Sequence, residues 1–371
     1  MKAHPDCSGG GDTVEKARCP VNDAALNPPG CGLPLNSVSP DIREQILRLC
    51  LEAGFARVGI ARAGPVTRAG YIDHWLDQGR AGSMTYLNRH RALRRDPRSL
   101  LDGARSVIVL ADLYRHSAAG ITASPDGQAE EVSSPSDKGG PLRGKIARYA
   151  WGRDYHKVLR RKLHRLADRL REELGVPFET RVCVDTAPLV ERAVAELAGV
   201  GWIGKNTMIL HQEIGSYFFL GEILTTLDLE PTPPVTDHCG SCTRCLDACP
   251  TDAFIGPYQM DATRCISYWT IEHRGDVPSE MQTGIGEWLF GCDVCQEVCP
   301  YNNAVAPGAD TAYTPMDRNP LTPLAEVAPI LSWDAEDYQR NLAGSAMKRA
   351  TLEMLKRNAR IVLNNARDRS G

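Results

Sequence analysis

The sequence lacks a long hydrophobic run and carries little net charge. Its 43 Lys and Arg residues nearly balance 46 Asp and Glu residues, which leaves a formal net charge of -3 over 371 residues. No apolar stretch approaches the roughly 20 residues that span a bilayer. The first residues also lack the charged start, apolar core and small-residue cleavage site of an export signal. These absences argue against a membrane protein or a globally basic partner of nucleic acid, so we expect a cytoplasmic protein of about two domains.

Cysteine, by contrast, is abundant and patterned. The run from Cys239 to Pro250 has the spacing C-x2-C-x2-C-x3-C-P, in which three thiolates bind one cubane and the fourth binds another. A second run, from Cys292 to Pro300, supplies a C-x2-C pair and another crossing cysteine. We therefore predict two 4Fe-4S clusters. The first is held by Cys239, Cys242, Cys245 and Cys299, and the second by Cys249, Cys265, Cys292 and Cys295.

Two other uses of these cysteines fit the pattern less well. Structural zinc also uses paired C-x2-C motifs, but those pairs lie apart, without a third cysteine two residues on or a proline after the fourth. Disulfides require an oxidising compartment, which the absence of an export signal does not support. Three further cysteines, Cys7, Cys19 and Cys31, are evenly spaced but form no paired motif, so a ligand role is disfavoured for them.

Composition and periodicity divide the chain into segments and predict an α+β fold. Residues 1–37 are rich in Gly, Pro and small polar residues, which is typical of a disordered tail. Apolar residues at helical spacing predict two helices, one burying Ile42, Ile46, Leu49 and Cys50 and one burying Leu159, Leu163, Leu166 and Leu170. The predicted folded parts are a mixed α/β catalytic domain at 38–227 with a flexible loop at 116–143, a linker at 228–238, a ferredoxin-like two-cluster domain at 239–305 and a short helical C-terminal segment at 306–371.

Asp185 is a candidate for acid-base chemistry. It ends the β-rich run "TRVCVD", and we predict that Thr186 caps the following helix and that Gly199 ends it in the left-handed conformation. Burial beside apolar neighbours or a large cofactor would raise the pKa of Asp185, so that it could hold a proton to donate. A purely structural carboxylate at the turn explains its position equally well.

Two motifs depart from the ligand-binding patterns that they approach. "GVGWIGKN", residues 199–206, is close to a phosphate-binding P-loop, but Asn206 replaces the magnesium-binding hydroxyl and a helical run precedes it where a strand is required. "DYHKVL", residues 154–159, begins like a cobalamin-binding D-x-H-x-x-G motif, but Leu159 replaces the glycine. His156 is therefore a weak candidate for a cobalt ligand, and a role at the helix start is at least as consistent with its position.

Five separated motifs, in the same order, closely resemble epoxyqueuosine reductases. They are "RYAWGRDYH", "VDTAPLVERAVAELAGVGWIGKNT", "CGSCTRCLDACPTDAF", "CISYWTIEHRG" and "FGCDVCQEVCPYN". The resemblance extends from Val38 to near the C-terminus, with Ala187 where the family commonly has glycine. It implies an oxidoreductase that reduces epoxyqueuosine to queuosine at the wobble position of a tRNA anticodon.

The resemblance also implies cofactors and site residues. Base-off cobalamin, reduced by the 4Fe-4S clusters and bound in the mixed α/β domain, would serve the reduction, and Asp185 would be both the proton donor and a cofactor contact. An external low-potential electron donor would supply the clusters. Positions in matching motifs indicate further cofactor contacts at Trp202, Ile203, Lys205, Ser267 and Gln296.

The C-terminal stretch "GSAMKRATLEMLKRNARIVLNNARDR" is predicted to form a basic helical surface for the tRNA backbone. Apolar residues would pack inward at Met347, Leu352, Leu355 and Ile361. The cations that would face phosphates are Lys348, Arg349, Lys356, Arg357 and Arg360. An ordinary solvated helix explains the charge run equally well by composition alone.

Two alternative functions remain open at the level of sequence. A cobalamin-dependent reductive dehalogenase would share the clusters and the cofactor, but such enzymes usually carry a twin-arginine export signal, and none is evident in this sequence. A non-catalytic electron-transfer protein would explain the clusters alone. It would leave Asp185 and the residues ahead of the clusters without a role.

Overall fold

The computed structural model describes residues 40–116, 141–303, 305–315 and 321–369. The predicted tail at 1–37, with Cys7, Cys19 and Cys31, lies outside these ranges, and so does most of the predicted loop at 116–143. All described residues belong to one compact unit. Within the described ranges, no helix is long and apolar enough to cross a membrane.

Helices and strands alternate along the described chain. The α-helices are α1 (Pro40–Glu52), α2 (Ala69–Asp77), α3 (Tyr86–Arg89), α4 (Arg91–Arg94), α5 (Tyr155–Glu173), α6 (Glu191–Leu197), α7 (Arg244–Asp247), α8 (Ser279–Ile285), α9 (Val294–Glu297), α10 (Val327–Ile330), α11 (Ala335–Asn341) and α12 (Leu352–Asp368). The strands are β1 (Arg57–Arg62), β2 (Ser106–Leu113), β3 (Arg143–Ile146), β4 (Thr180–Cys183), β5 (Trp202–Ile203), β6 (Ile209–Leu210), β7 (Phe218–Thr225), β8 (Phe254–Gly256), β9 (Gln259–Met260), β10 (Trp288–Phe290) and β11 (Leu324–Glu326). A π-helical turn spans Tyr268–Glu272, and 3-10 turns span Pro97–Ser99, Arg148–Ala150, Ala262–Arg264, Pro300–Asn302, Thr311–Tyr313 and Ala346–Arg349.

Four antiparallel strands form the larger sheet, in the order β1-β2-β7-β4. Both faces of this sheet are covered. Ile108 and Leu110 of β2 pack with α1 and α5, whereas Val107 and Val109 pack with α6 on the other face, as the alternation of side chains along a strand requires. The sheet therefore forms a three-layer core, which agrees with the predicted mixed α/β architecture.

A second sheet joins distant parts of the sequence. Strand β3 lies between β10, to which it is parallel, and β11, to which it is antiparallel. Helix α12 packs against β10 and α10 and buries Met354, Leu355 and Val362 completely or almost completely. This sheet thus combines strands from three of the segments that the sequence separates, and the segment boundaries stay a prediction.

The two long amphipathic helices form as predicted. Helix α1 buries Ile46, Leu49 and Cys50 completely, and Ile42 packs at the edge of the same cluster. Asp154 caps α5, because its side chain accepts a hydrogen bond from the backbone N–H of His156. The four predicted leucines of α5, Leu159, Leu163, Leu166 and Leu170, are all buried in the same core.

Candidate active site

The eight predicted cluster ligands gather into two groups. In the first, Cys245 lies beside Cys239, Cys242 and Cys299, although Cys299 belongs to the second cysteine run. In the second, Cys295 lies near Cys265 and Cys249 and also feels the charge of Cys245, and Cys292 lies near Cys265 and Cys295. The described cysteines form no disulfide. The thiols of both runs therefore lie close together, and their division between two clusters stays a prediction.

The chemistry of these thiols fits iron-sulfur clusters. Burial raises the pKa of Cys245 to about 11 and also raises the pKa values of Cys265, Cys292 and Cys295. Buried thiolates at such density need a cation to stabilise their charge, and iron supplies one. Within the described ranges, no three His, Cys, Asp or Glu side chains converge on a position for a single metal ion. A cubane instead distributes four thiolates over four irons.

The "GWIGKN" segment braces the loop of the first cysteine group. Trp202, which is 1% exposed, donates a hydrogen bond from Nε1 to Cys239 Sγ at 3.5 Å. Lys205 Nζ donates to the carbonyl oxygens of Gly240 and Cys242 at 2.7 and 2.9 Å. The segment itself is the β5–β6 hairpin, preceded by helix α6, so its context is not that of a P-loop.

The other predicted cofactor contacts also lie near cluster ligands. Ser267 hydrogen bonds to the thiol of Cys265. Gln296 is buried next to Cys295 in sequence and accepts a hydrogen bond from Ser216 Oγ at 2.9 Å. Ile203, on β5, is 7% exposed. These residues share the neighbourhood of the cluster loops, and their contact with cobalamin stays a prediction.

Asp185 lies in the turn between β4 and α6 and has a left-handed backbone, with φ of 50°. Such a conformation is unusual for a residue with a side chain and persists only where neighbouring contacts stabilise it. The backbone N–H of Asp185 donates to Glu191 Oε1. The Asp185 side chain is 51% exposed, so its carboxylate is accessible from outside the fold.

The local structure around Asp185 differs in part from the prediction. Gly199 ends the helix region in the left-handed conformation, with φ of 68°, as predicted. The predicted cap at Thr186 is wrong: its hydroxyl donates to the carbonyl oxygen of Val184 at 3.3 Å, and α6 begins only at Glu191. Helix α6 begins later than predicted because of Pro188, since a proline disfavours the helical conformation of the residue before it.

His156 links Asp185 to the start of α5. Its Nε2 lies 2.8 Å from Asp185 Oδ2, and its Nδ1 lies 2.8 Å from Asp154 Oδ1. Burial opposes a charge on His156, but the two carboxylates outweigh it and raise its pKa to about 9. For Asp185, burial is the largest single effect and raises the pKa, but the hydrogen bonds from His156 and Tyr155 and the charges of His156 and Arg349 together outweigh it, and the net shift is downward. The expectation of a raised pKa for Asp185 is therefore wrong in this structure, and the pair holds its proton on His156.

Aromatic rings fix the position of this pair. Tyr155 stacks on His156 with 4.0 Å between ring centroids and on Phe219 of β7 with 4.2 Å. Tyr155 also hydrogen bonds to Asp185. Sequence reasoning missed Asp154 and Tyr155 as partners, although a capping aspartate two residues before a histidine was a usable signal.

One of the predicted tRNA contacts lies near this site. Arg349 donates two hydrogen bonds to the carboxylate of Glu272, at 3.0 and 2.6 Å. Its guanidinium lies over the ring of Tyr86, 5.4 Å from the centroid. The charge of Arg349 also contributes to the lowered pKa of Asp185. A cation held by one carboxylate, Glu272, and one phenol, Tyr86, therefore lies within electrostatic reach of Asp185.

The other predicted tRNA contacts differ in their surroundings. Arg357 is not a free surface cation, because it donates to the backbone carbonyls of Trp269, His273 and Gly275; the prediction of a phosphate contact there needs correction. Lys348 Nζ donates to the side chain of Gln339. Lys356 is partly exposed and Arg360 is exposed on α12. Of the predicted inward residues, Met347, Leu355 and Ile361 are buried and Leu352 is partly buried.

The large cleft of the described structure lies away from Asp185. Its volume is about 890 Å³, and it lies beside the second cysteine group, where its lining includes Thr251, Arg264, Glu287 and Trp288. Thr251 Oγ1 is 3.8 Å from Cys249 Sγ. The cleft therefore adjoins a predicted cluster and not the acid-base pair.

Comparisons with known proteins agree with the geometry. Residues 94–186 match the family model of epoxyqueuosine reductase QueG, DUF1730, and residues 238–302 match that of a 4Fe-4S double cluster binding domain. An epoxyqueuosine reductase of Pseudomonas aeruginosa is 42% identical over 316 residues, which are 85% of this chain and 83% of that protein.

Solved structures of the same kind of protein resemble the fold. A crystal structure of epoxyqueuosine reductase with an epoxyqueuosine-modified tRNA-Tyr stem loop has a TM-score of 0.76 at 32% identity, covering 89% of this chain and 83% of that one. The structure of epoxyqueuosine reductase from Bacillus subtilis with the loop of its catalytic aspartate swung out of the active site has a TM-score of 0.74 at 31% identity and the same coverage.

Proposed function

Because this chain belongs to the epoxyqueuosine reductase family, we propose that it reduces epoxyqueuosine to queuosine at the wobble position of tRNA, with Asp185 at the centre of proton transfer. The family assignment makes the protein an oxidoreductase, and the matched double-cluster domain makes it an iron-sulfur protein. The family assignment favours this function over that of a reductive dehalogenase or of a non-catalytic electron carrier. The remaining details rest on the residues around Asp185.

The second cofactor in this proposal is base-off cobalamin. Both ring nitrogens of His156 are engaged by carboxylates, so neither is available to coordinate cobalt, and this agrees with a cobalamin that takes no axial histidine. The half-exposed carboxylate of Asp185 suits a group that faces a bound cofactor. When bound, cobalamin would supply low-potential electron transfer to the epoxide. Trp202 and Lys205 would brace the loop of the first cluster, which would serve as the electron source of the cofactor.

The proton comes from the His156–Asp185 pair. Removal of the epoxide oxygen as water takes two electrons and two protons, and one of these protons is held between His156 Nε2 and Asp185 Oδ2. Asp185 is the more exposed member of the pair, so we assign it the contact with the substrate oxygen. The proton passes from His156 Nε2 through the Asp185 carboxylate to the substrate oxygen, the second proton is taken from solvent, and Asp154 keeps the imidazole oriented through Nδ1.

The substrate in this proposal is a tRNA, as in the related stem-loop complex. Arg349 supplies a cation close to the Asp185 carboxylate, and Lys356 and Arg360 add positive charge on α12. Arg357 is excluded from this set, because its guanidinium is already engaged by backbone carbonyls. The electrons come from an external low-potential donor through the two clusters.

The observation that carries the proposal is the hydrogen-bonded His156–Asp185 pair at 2.8 Å, in one fold with two groups of cluster cysteines. The test is anaerobic turnover of epoxyqueuosine-containing tRNA by the cluster-loaded protein with added cobalamin and a chemical reductant, followed by nucleoside mass spectrometry. Conversion of epoxyqueuosine to queuosine is expected. No conversion by wild-type protein with intact clusters and bound cobalamin would refute the function.

A further inference from the structure

Behind the Asp185 turn lie two glutamates that the proposed chemistry does not use, Glu191, which is partly buried, and Glu222, which is fully buried. Glu191 begins α6, and its Oε1 accepts the backbone N–H of Asp185. Glu222 lies within β7, is 0% exposed, and pairs across the sheet with Cys183, two residues before Asp185. The carboxyl groups of Glu191 and Glu222 are within hydrogen-bonding reach of each other.

Glu222 needs a proton to be accommodated at this position. If both glutamates were ionised, the two buried oxygens of Glu222 would find no donor in the described part of the chain. A buried carboxylate without a donor or a counter-charge is strongly disfavoured. One proton between the two carboxyl groups removes one negative charge and supplies the missing hydrogen bond.

We propose that Glu191 and Glu222 share one proton and that this pair holds the Asp185 turn in the conformation that proton transfer requires. The inference rests on the proposed role of Asp185. One oxygen of Glu191 accepts the hydrogen bond from Glu222, and the other accepts the Asp185 N–H, so a continuous connection runs from β7 to the turn. The left-handed backbone of Asp185 is the kind of conformation that needs such support. Both glutamates are positioning residues, since they act through Asp185.

The protonation of this pair depends on pH. Burial raises the pKa of Glu191 to about 8 and raises the pKa of Glu222 well above its usual range. The groups that face Glu191 are Asp185, Glu222, Arg192, Arg94, Tyr155 and Cys183, and those that face Glu222 are Glu191, Asp185 and Cys183. As the pH rises through the alkaline range the pair therefore loses its proton, the two carboxylates repel each other, and the Asp185 turn is released.

The test measures amide hydrogen exchange over residues 180–192 in the cluster-loaded protein, normalised at each pH to the exchange of the unfolded peptide. In the wild type, protection of this segment should fall by about tenfold between pH 7 and pH 9, as a local opening becomes easier. Glu222→Gln should keep more of its protection at pH 9 than the wild type, because the amide donates a hydrogen bond to Glu191 without a titrating proton. The loss that follows from His156, whose pKa is about 9, is common to both proteins. Glu222→Ala should lack this protection at both pH values.

Ile223→Val is the matched control, because Ile223 is the fully buried neighbour of Glu222 on β7 and the change removes one methyl group. It should keep the pH dependence of the wild type. Equal loss of protection at pH 9 in wild type and Glu222→Gln would overturn the proposal. If Glu222→Ala does not fold, the comparison of the wild type with Glu222→Gln decides by itself.

Turnover separates this inference from the proposed function. Glu222→Ala should have a kcat about tenfold below that of Glu222→Gln, with a similar KM, because misplacement of Asp185 affects the chemical step more than binding. Equal kcat values in the two variants would count against the positioning role while leaving the reductase function intact. Absence of turnover in the wild type would count against the function, and the exchange measurement would still decide the role of the glutamates.

Discussion

His156 Nε2 lies 2.8 Å from Asp185 Oδ2, and the two residues approach each other from the start of α5 and from the turn after β4. This contact changes the assignment of the proton. Asp185 by itself would be the acid, but beside a histidine whose pKa is raised to about 9 it is the ionised member of the pair. The general acid is therefore the His156–Asp185 pair as a unit, and each of the two residues can be tested separately.

Replacement of Asp185 tests the group that contacts the substrate. Asp185→Asn keeps the size of the side chain but removes the transferable proton, so turnover should fall by about 100-fold or more, the usual scale for a general acid. Iron content and cobalamin binding should stay at wild-type levels in absorption spectra. Near-normal turnover would assign Asp185 a structural role in the turn.

Replacement of His156 tests the source of the proton. Because His156 has a pKa of about 9, turnover of the wild type should decline as the pH rises through about 9, when the proton leaves. The stabilisation of the fold by this protonated histidine is fully present below the ordinary pKa of 6.5 and is lost as the pH rises through about 9. His156→Gln should lower turnover and lack the decline centred near pH 9. A pH profile that is unchanged in shape would remove His156 from proton transfer.

Iron and sulfide analysis tests the clusters. Anaerobically purified protein should hold about eight irons and eight sulfides per chain, as two cubanes require. Cys299→Ala should damage the cluster of Cys239, Cys242 and Cys245, although Cys299 lies in the second run. Electron paramagnetic resonance of the reduced variant should show selective loss of one cluster signal, and Cys242→Ala, which removes a ligand of the same group, should abolish that same signal. Loss of different signals in the two variants would contradict the crossing arrangement.

Charge removal from α12 tests the tRNA surface. Lys356→Ala with Arg360→Ala should weaken tRNA binding and flatten its dependence on salt, by about 0.7 to 0.9 units of log-log slope for each phosphate that is no longer neutralised. The matched control is Arg48→Ala with Arg171→Ala, which removes equal charge from exposed positions on α1 and α5. Equal effects of the two double variants on affinity and salt slope would mean that α12 has no specific role.

Arg357 should behave as a structural residue. Its guanidinium donates to three backbone carbonyls and lies next to Asn358, which is fully buried. Arg357→Ala should lower the free energy of unfolding by about 2 to 3 kcal/mol, since charged donors to buried acceptors are worth about that much. Denaturant unfolding of the cluster-loaded protein measures the change, with Arg360→Ala as the exposed control. Equal stability of the two variants would show that these hydrogen bonds contribute little.

The sequence by itself determined the features that depend on spacing along the chain. The C-x2-C spacing indicates which neighbouring thiols can bind one cluster, because the short loops between them are set by local geometry. The apolar periodicity of α1 and α5 specifies which faces are buried, because burial of a continuous stripe is the main source of helix stability in a folded protein.

Only the tertiary structure decided the properties that depend on distant partners. Asp185 and His156 are brought together by the packing of α5 against the β4–β7 region, and that contact reverses the direction expected for the pKa of Asp185. Arg357 belongs to a basic run in the sequence, yet the π-helical turn and the loop after it provide acceptors for its guanidinium. Glu222 can act on Asp185 only because the fold places β7 beside the Asp185 turn. A pKa and a hydrogen-bond partner depend on the three-dimensional surroundings of a group, which the residue types along the chain do not specify.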